Sequence, residues 1–500
     1  MRGPGLRGVS VAIVTMFVAM LAAVTIVPEQ AAAQGPEMLH PRLDVRTVVS
    51  GLNQPTSMAF LGPNDFLVLE KATGKVQRVV NGAIAATVLD LAVNSNSERG
   101  LLGIALHPDF PANPGVYLFW TESTTGADSG VVSNVPLLGN RVDRFVWTGA
   151  TLAFDHNLIR LRAFQADPGQ PLRGNHDGGV LEFGPDRKLY LFMGDNGRRG
   201  QMQNLPCGWS GDCAMADDQF GGPQPDDAHL TGVILRLNDD GSAPMDNPFF
   251  AAGAAIGGAV GANVQKIFSY GHRNSFGMAF DPKSGGLWLQ ENGDDSFTEL
   301  NLVNPGMNGG WVQIMGPVDR IAQYKAIETS TERDPLLGNV YFGLQQIRWS
   351  PENIADTPED ALARLFMLPG AHYSDPEFAW KFETAPAGIG FVTGRGLGPE
   401  FEGDLFLGSA RTFLLDGQLF RMQLTGNRQK IAVDDPRLED RVADNNHKFD
   451  ITESESLLIG RNFGICTDIQ TGPSGTLFLV SLTGGAVYEI FRRPPPGHVR

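Results

Sequence analysis

An all-β chain folded as a six-bladed β-propeller, with long inter-strand loops and a short helical insertion, is what the 500 residues predict. Two observations carry this. One phrase recurs: a short apolar strand, a turn of Pro, Asp and Gly, then a strand of aromatic and branched residues ending in a polar one. Amphipathic helical periodicity, by contrast, is scarce.

The phrase occurs six times, as "SMAFLGPNDFLVLEK", "LLGIALHPDFPANPGVYLFWTE", "GGVLEFGPDRKLYLFMGD", "FGMAFDPKSGGLWLQENG", "FEGDLFLGSARTFLLDGQLFRM" and "TDIQTGPSGTLFLVSLTGGAVYEI", the fifth copy being the most degraded. Each copy holds at least one hairpin, with turn residues at the bend and period-two runs that suit a half-buried sheet. Segments such as "GKVQRVV", "NRVDRFVW", "GVILRLN" and "GAVYEIF" add further strands. A unit of three or four strands cannot bury both faces alone, whereas six units packed in a ring can. Uneven spacing between copies puts long loops on the rims, where binding residues are usually carried.

Before the first copy, residues 1–33 read as a secretory signal. Arg2 and Arg7 precede the apolar run "VSVAIVTMFVAMLAAVTIV", and "AAAQ" offers cleavage after Ala33. The run is just long enough to serve instead as an uncleaved anchor, and no second one follows, so the mature chain carries no integral span. The propeller then occupies 34–492 as a single domain. An insertion at about 313–375 separates the fourth and fifth copies and holds the best helix candidate, "TPEDALARLFMLPG", with Thr357 as N-cap, Pro358 in the first turn and Asp360 completing the cap. The tail 493–500, "RPPPGHVR", reads as disordered.

The formal charge is -16; the leader's Arg2, Arg7 and Glu29 sum to +1, so its removal leaves -17. Such an acidic chain argues against general nucleic-acid binding. Cys207 and Cys213 in "CGWSGDC" could close a short loop in an oxidising compartment, which leaves Cys466 odd and more suited to burial than to reaction. HExxH, GxSxG, Walker and strand-linked GxGxxG patterns are all missing from the sequence, which lowers the ordinary hydrolase and nucleotide readings.

Three clusters could carry chemistry. In "GNHDGG", Asn175, His176 and Asp177 precede a strand among glycines, so a ligand could approach the backbone and a neutral imidazole could take a proton. The plainer alternative is a turn histidine bonded to a neighbouring blade. In "YGHRNSFGMAF", Arg273 and Asn274 could grip a carboxylate, or could simply tie two blades together. In "ENGDDSFTELN", Glu291, Asp294, Asp295 and Glu299 could hold a hard cation such as calcium, or form a solvated acidic loop. "NDDGSAPMDN" lacks EF-hand spacing and reads as a turn.

Together, "ERGLLGIALHPDF", "HDGGVLEFGPDRKLYLFMGDNG", "GVILRLNDDGSAPMDNPF", "SYGHRNSFGMAFDP", "ENGDDSFTELNLVNPGMNGGW" and "APAGIGF" resemble the soluble quinoprotein sugar dehydrogenases. These glucose, aldose and sorbosone dehydrogenase-like proteins use pyrroloquinoline quinone (PQQ). The phrases fall in order from about 50 to 490, and the resemblance implies a six-bladed propeller. It makes His176 the catalytic base, and Arg273 and Asn274 the pair that holds PQQ. Glu98, Asn175 and Arg411 fall at positions near the cofactor. The carbonyls of Gly293 and Asp294 match ligands of a calcium ion beside PQQ, and Glu299 with the Gly309 carbonyl matches a second, structural calcium. The implied partners are a small sugar and an external electron acceptor, and the location is periplasmic or secreted.

The chain departs from that pattern in several places. Asn175 replaces an aspartate beside the histidine, which removes the charge expected to support the base. Asp294 replaces a proline, and Arg411 a lysine. Ile465 and Thr467 in "ICTD" stand where two arginines are usual, so Arg461 or another cation must reach the PQQ carboxylates if the cofactor is to bind. Two rival readings follow: a metal-dependent lactonase or esterase, and a carbohydrate- or protein-binding propeller that has lost PQQ.

Overall fold

Each repeated phrase becomes an antiparallel pair, because its Pro-Asp-Gly turn reverses the chain while the alternating residues on either side face a neighbouring sheet. The third copy pairs Leu181–Phe183 with Leu189–Met193, Leu181 opposite Leu191, and the fourth pairs Met278–Phe280 with Leu287–Glu291. The computed structural model describes residues 35–164, 174–197, 230–333, 351–409 and 417–494. Arg411, Cys207, Cys213 and the leader lie outside the described residues.

The strands assort into six sheets of four to six strands. Their first strands are Pro55–Gly62, Leu101–Leu106, Leu181–Phe183, Met278–Phe280, Pro386–Phe391 and Cys466–Thr471. Each of these touches the next, and the last touches the first, so they stand around one axis and the fold is an all-β propeller. Apolar clusters fill the spaces between and within sheets; one joins Trp288 and Trp380 to Phe406's neighbours Leu405 and Leu407 across the fourth and fifth sheets. The outer strand of the sixth sheet is Leu43–Ser50, antiparallel to Ala486–Arg492, with Leu43 opposite Arg492 and Ser50 opposite Ala486. The beginning and end of the propeller are therefore fastened in one sheet.

The fifth copy lies differently from its expected phase. The pair Leu405–Ser409 and Gln418–Leu424 is the second and third strand of its sheet, and the first is Pro386–Phe391. That strand shows no alternation because it packs against the sixth sheet backbone to backbone. A Cβ on Gly390 would stand 2.1 Å from the Ile469 carbonyl oxygen, so a side chain there is excluded.

Helices occupy long connections between strands: two fall between Val233–Leu237 and Ile267–Tyr270 of the third sheet, and two between Met307–Asn308 and His372–Tyr373 of the same sheet. Pro358–Ala363 forms as expected, with the Thr357 hydroxyl accepting from Asp360 N at 3.2 Å. Helices Phe250–Ile256, Gly258–Val264 and Ile321–Glu328 were not anticipated. The first two are rich in Ala and Gly and carry no amphipathic period for a sequence reading to detect. At the carboxyl end, Arg493 N donates to the Arg42 carbonyl at 2.8 Å, so order reaches at least one residue into the expected tail.

Candidate active site

Glu98, His176, Arg273 and Asn274 lie just before the first strands of the second, third and fourth sheets, so the fold carries them to the same end of the axis. An axial cavity of about 60 Å³ lies among these strand starts, lined by residues including Thr56, Leu102, Gly179, Phe276, Gly388 and Thr467.

His176 adopts φ 59° and is 7% exposed, which fixes the imidazole at the wall of the site. Its Nδ1 lies 2.6 Å from Asp195 Oδ1. Asp195 ends the strand that returns from the histidine, so the hairpin itself makes the pair. The aspartate is fully buried, and it also accepts from Gly197 N at 2.7 Å and from Trp311 Nε1 at 2.8 Å. Gly194 makes the approach possible: a Cβ there would stand 2.3 Å from the His176 carbonyl oxygen and 2.9 Å from that of Arg273. The carboxylate thought missing at Asn175 thus comes from Asp195, 19 residues beyond His176. A carboxylate at Nδ1 holds the proton there and leaves the Nε2 lone pair for chemistry.

Glu98 binds both sides of the site. Its Oε2 accepts from His176 N at 2.7 Å and from Asn274 Nδ2 at 3.1 Å. Asp177 is turned inward; burial pushes its pKa up to about 6, against the opposing pull of Arg99 and the Asn140 hydrogen bond at 2.8 Å.

Arg273 is held at three points. Its backbone N donates to Glu291 Oε1 at 2.5 Å, Nη1 to the Asn292 carbonyl at 3.0 Å and Nη2 to Asp294 Oδ1 at 2.7 Å. Burial disfavours its charge, but Asp294, Asp195, Glu383 and Glu328 outweigh that and raise its pKa. Lys448, which sequence reasoning passed over, enters the same cluster. Its Nζ donates to the Asp294 carbonyl at 2.9 Å and to Asp295 Oδ1 at 2.5 Å.

Of the residues expected around the second calcium, Glu299 is engaged within the protein: its Oε1 accepts from Gly316 N at 2.5 Å and its Oε2 from Asn301 Nδ2 at 3.0 Å. Gly309, expected to offer its carbonyl, is positioned by its N, which donates to the Tyr270 carbonyl at 2.8 Å. In the last sheet, Ile465 N donates to Thr483 Oγ1 at 2.9 Å and Thr467 Oγ1 to the Pro55 carbonyl at 3.3 Å. Arg461 does not reach in: it pairs with Glu37 at 2.8 Å on the outer edge of the fifth sheet. Cys466 is a free thiol with no exposure, and burial drives its pKa far up, which makes it unreactive.

The acidic cluster predicts a pH effect. Burial, with Glu291 beside Glu299 and with Asp294 and Asp295 beside Glu328, pushes both glutamates from 4.5 to about 8, and burial raises Glu383 to about 7. These groups hold protons in the folded protein at a pH where the unfolded chain has lost them. Their stabilisation is complete below about pH 4.5 and is lost as pH rises through 7 to 8. The urea midpoint of chelator-treated protein should therefore fall between pH 5 and 9, and a midpoint that rises over this range would refute the assignment.

Comparison with known proteins identifies the family of the chain. A family profile described as Glucose / Sorbosone dehydrogenase matches residues 52–342. The chain is 31% identical over 300 residues to quinoprotein glucose dehydrogenase B of Acinetobacter calcoaceticus, a match covering 58% of each chain. It is 30% identical over 415 residues to an uncharacterized Synechocystis protein, covering 81% of each, and 24% identical to aldose sugar dehydrogenase YliI of Escherichia coli, covering 88% of this chain and 90% of that one. The PQQ-bound aldose sugar dehydrogenase of Streptomyces coelicolor shares the fold at a TM-score of 0.53 and 24% identity, covering 90% of this chain and 99% of its own. Among the described residues no helix is long and apolar enough to cross a membrane. On the profile match and the extended similarity to the Synechocystis protein, the chain belongs to the glucose/sorbosone dehydrogenase family.

Proposed function

We propose that this protein is a six-bladed, PQQ-dependent oxidoreductase that converts an aldose, or a related alcohol, to the lactone or carbonyl product. The His176–Asp195 pair carries the reading: an oriented base whose free nitrogen stands at the end of the propeller axis where Arg273 and Asn274 gather. Sugar dehydrogenases among the relatives support the same chemistry.

The residues present fit PQQ, a tricarboxylate. Asn274 Oδ1 and both side-chain atoms of Asn196 are buried without partners inside the protein, as groups reserved for a polar ligand would be. With Ile465 and Thr467 uncharged and Arg461 remote, Arg273 and Lys448, which pair with Asp294 and Asp295, would supply positive charge to its carboxylates. Asn175 stands against Gly197, with its Oδ1 2.2 Å from where a Cβ on Gly197 would stand. Bound PQQ supplies the acceptor for the hydride that leaves the sugar carbon. His176 Nε2 takes the hydroxyl proton as the carbon–oxygen double bond forms, and Asp195 stabilises the imidazolium.

Calorimetric titration of PQQ into the mature protein, with dye-linked oxidation of a panel of sugars, tests the reading. Saturable binding together with turnover is expected; the absence of both would sink it. No specific observation favours the lactonase or the binding-only alternative.

We extend the proposal to export on the leader 1–33. Amino-terminal sequencing of protein from its native host should begin at Gln34, and a chain that retains the leader would overturn this.

A further inference from the structure

The loop expected to present carbonyls to a calcium ion already faces a positive charge of the protein's own. Lys448 Nζ lies 2.9 Å from the Asp294 carbonyl oxygen and 2.5 Å from Asp295 Oδ1, with its side chain 13% exposed. This placement is built rather than incidental. Asn445 clamps the segment by accepting from Phe382 N at 2.8 Å and donating to the carbonyls of Phe382 at 3.1 Å and Asp450 at 2.9 Å. Phe449 N is tied to the Glu383 carbonyl at 2.7 Å, with Phe449 held at φ 64°. A left-handed phenylalanine beside the lysine is a conformation that persists only where its surroundings impose it. Among the described residues, no group of three or more His, Cys, Asp or Glu side chains is disposed to hold a metal ion.

We propose that the ammonium of Lys448 replaces the inner calcium as the cation between the 294–295 loop and the bound cofactor. An ammonium has three donors. Two are spent on Asp294 and Asp295, and the third remains for an oxygen of the ligand. A lysine cannot match the charge of a divalent ion, but it needs no metal supply and places its charge at a fixed point on the loop. The inference rests on the PQQ reading for its ligand, although its metal arm does not.

The test has two readouts on the wild-type chain, Lys448→Met and Lys448→Arg. In the first, calcium is titrated by calorimetry into chelator-treated protein without PQQ. Lys448→Met should take up one more calcium than the wild type, because the Asp294 carbonyl and the Asp295 carboxylate then lose the ammonium that faces them, and Lys448→Arg should not. Equal calcium uptake by wild type and Lys448→Met would overturn the proposal. In the second, PQQ is titrated in the presence of chelator. The wild type and Lys448→Arg should bind as they do with calcium, while Lys448→Met should weaken by about 100-fold and recover when calcium is added. Wild-type binding that requires calcium would overturn the replacement while leaving the oxidoreductase reading intact. If PQQ binds under neither condition, the oxidoreductase reading fails and the calcium count alone decides the role of Lys448.

Discussion

His176→Asn is expected to lower kcat for sugar oxidation by about 10²–10⁴-fold, the usual contribution of a positioned general base, with little change in PQQ affinity. Asparagine suits the site because the residue sits at φ 59°, a left-handed conformation that Asn tolerates. Its amide is short enough to keep a hydrogen bond to Asp195 while removing the atom that stands for Nε2. The backbone N of residue 176 would still donate to Glu98, so the contact that organises Asn274 survives. Stopped-flow reduction of PQQ on the pre-loaded protein checks the effect. A rate within a few-fold of the wild type would remove His176 from the chemistry and leave it as a turn residue.

Asp195→Asn is expected to lower kcat by about 10⁴-fold, the loss that follows removal of the equivalent carboxylate from a histidine-based site. The cause is the tautomer. An amide that donates to Nδ1 forces the imidazole proton onto Nε2, where it blocks the lone pair that should receive the hydroxyl proton. The amide oxygen can still accept from Trp311 Nε1, which now bonds Asp195 Oδ2 at 2.8 Å, while the amide nitrogen takes the place of the oxygen that accepts from Gly197 N at 2.7 Å, so the turn loses that one hydrogen bond. The split between kcat and KM separates this role from a structural one: kcat should fall while KM is kept. A change in KM alone, with kcat preserved, would contradict it.

Much of this arrangement was legible in the sequence because its causes are local. Pro-Asp-Gly turns between alternating strands announced the hairpins, and Thr357 with Asp360 announced a helix cap. What was missed depends on neighbours. Pro386–Phe391 hid its place as a first strand because packing against the sixth sheet demands glycines rather than alternation. Asp195 stood in plain view at the end of a strand, yet its role appears only when the hairpin returns it to His176. Attention to Asn175 as the residue beside the histidine in sequence led away from the carboxylate beside it in space. Lys448 lies 154 residues from Asp294 and follows no recognisable pattern, so only folding brings the two together.

The fastening of Leu43–Ser50 onto Ala486–Arg492 also sets the order in which the molecule can be made. Arg46 and Glu489, joined at 2.9 Å, are 443 residues apart, and no shorter route closes the sheet they share. A nascent chain must keep its first propeller strand waiting, with one edge unpaired, until its last segment leaves the ribosome. Contacts of such range make folding slow, and an unpaired edge invites association with other chains in the meantime. Under the export proposed above, that delay would be an advantage: the ring could not lock before the chain had passed through.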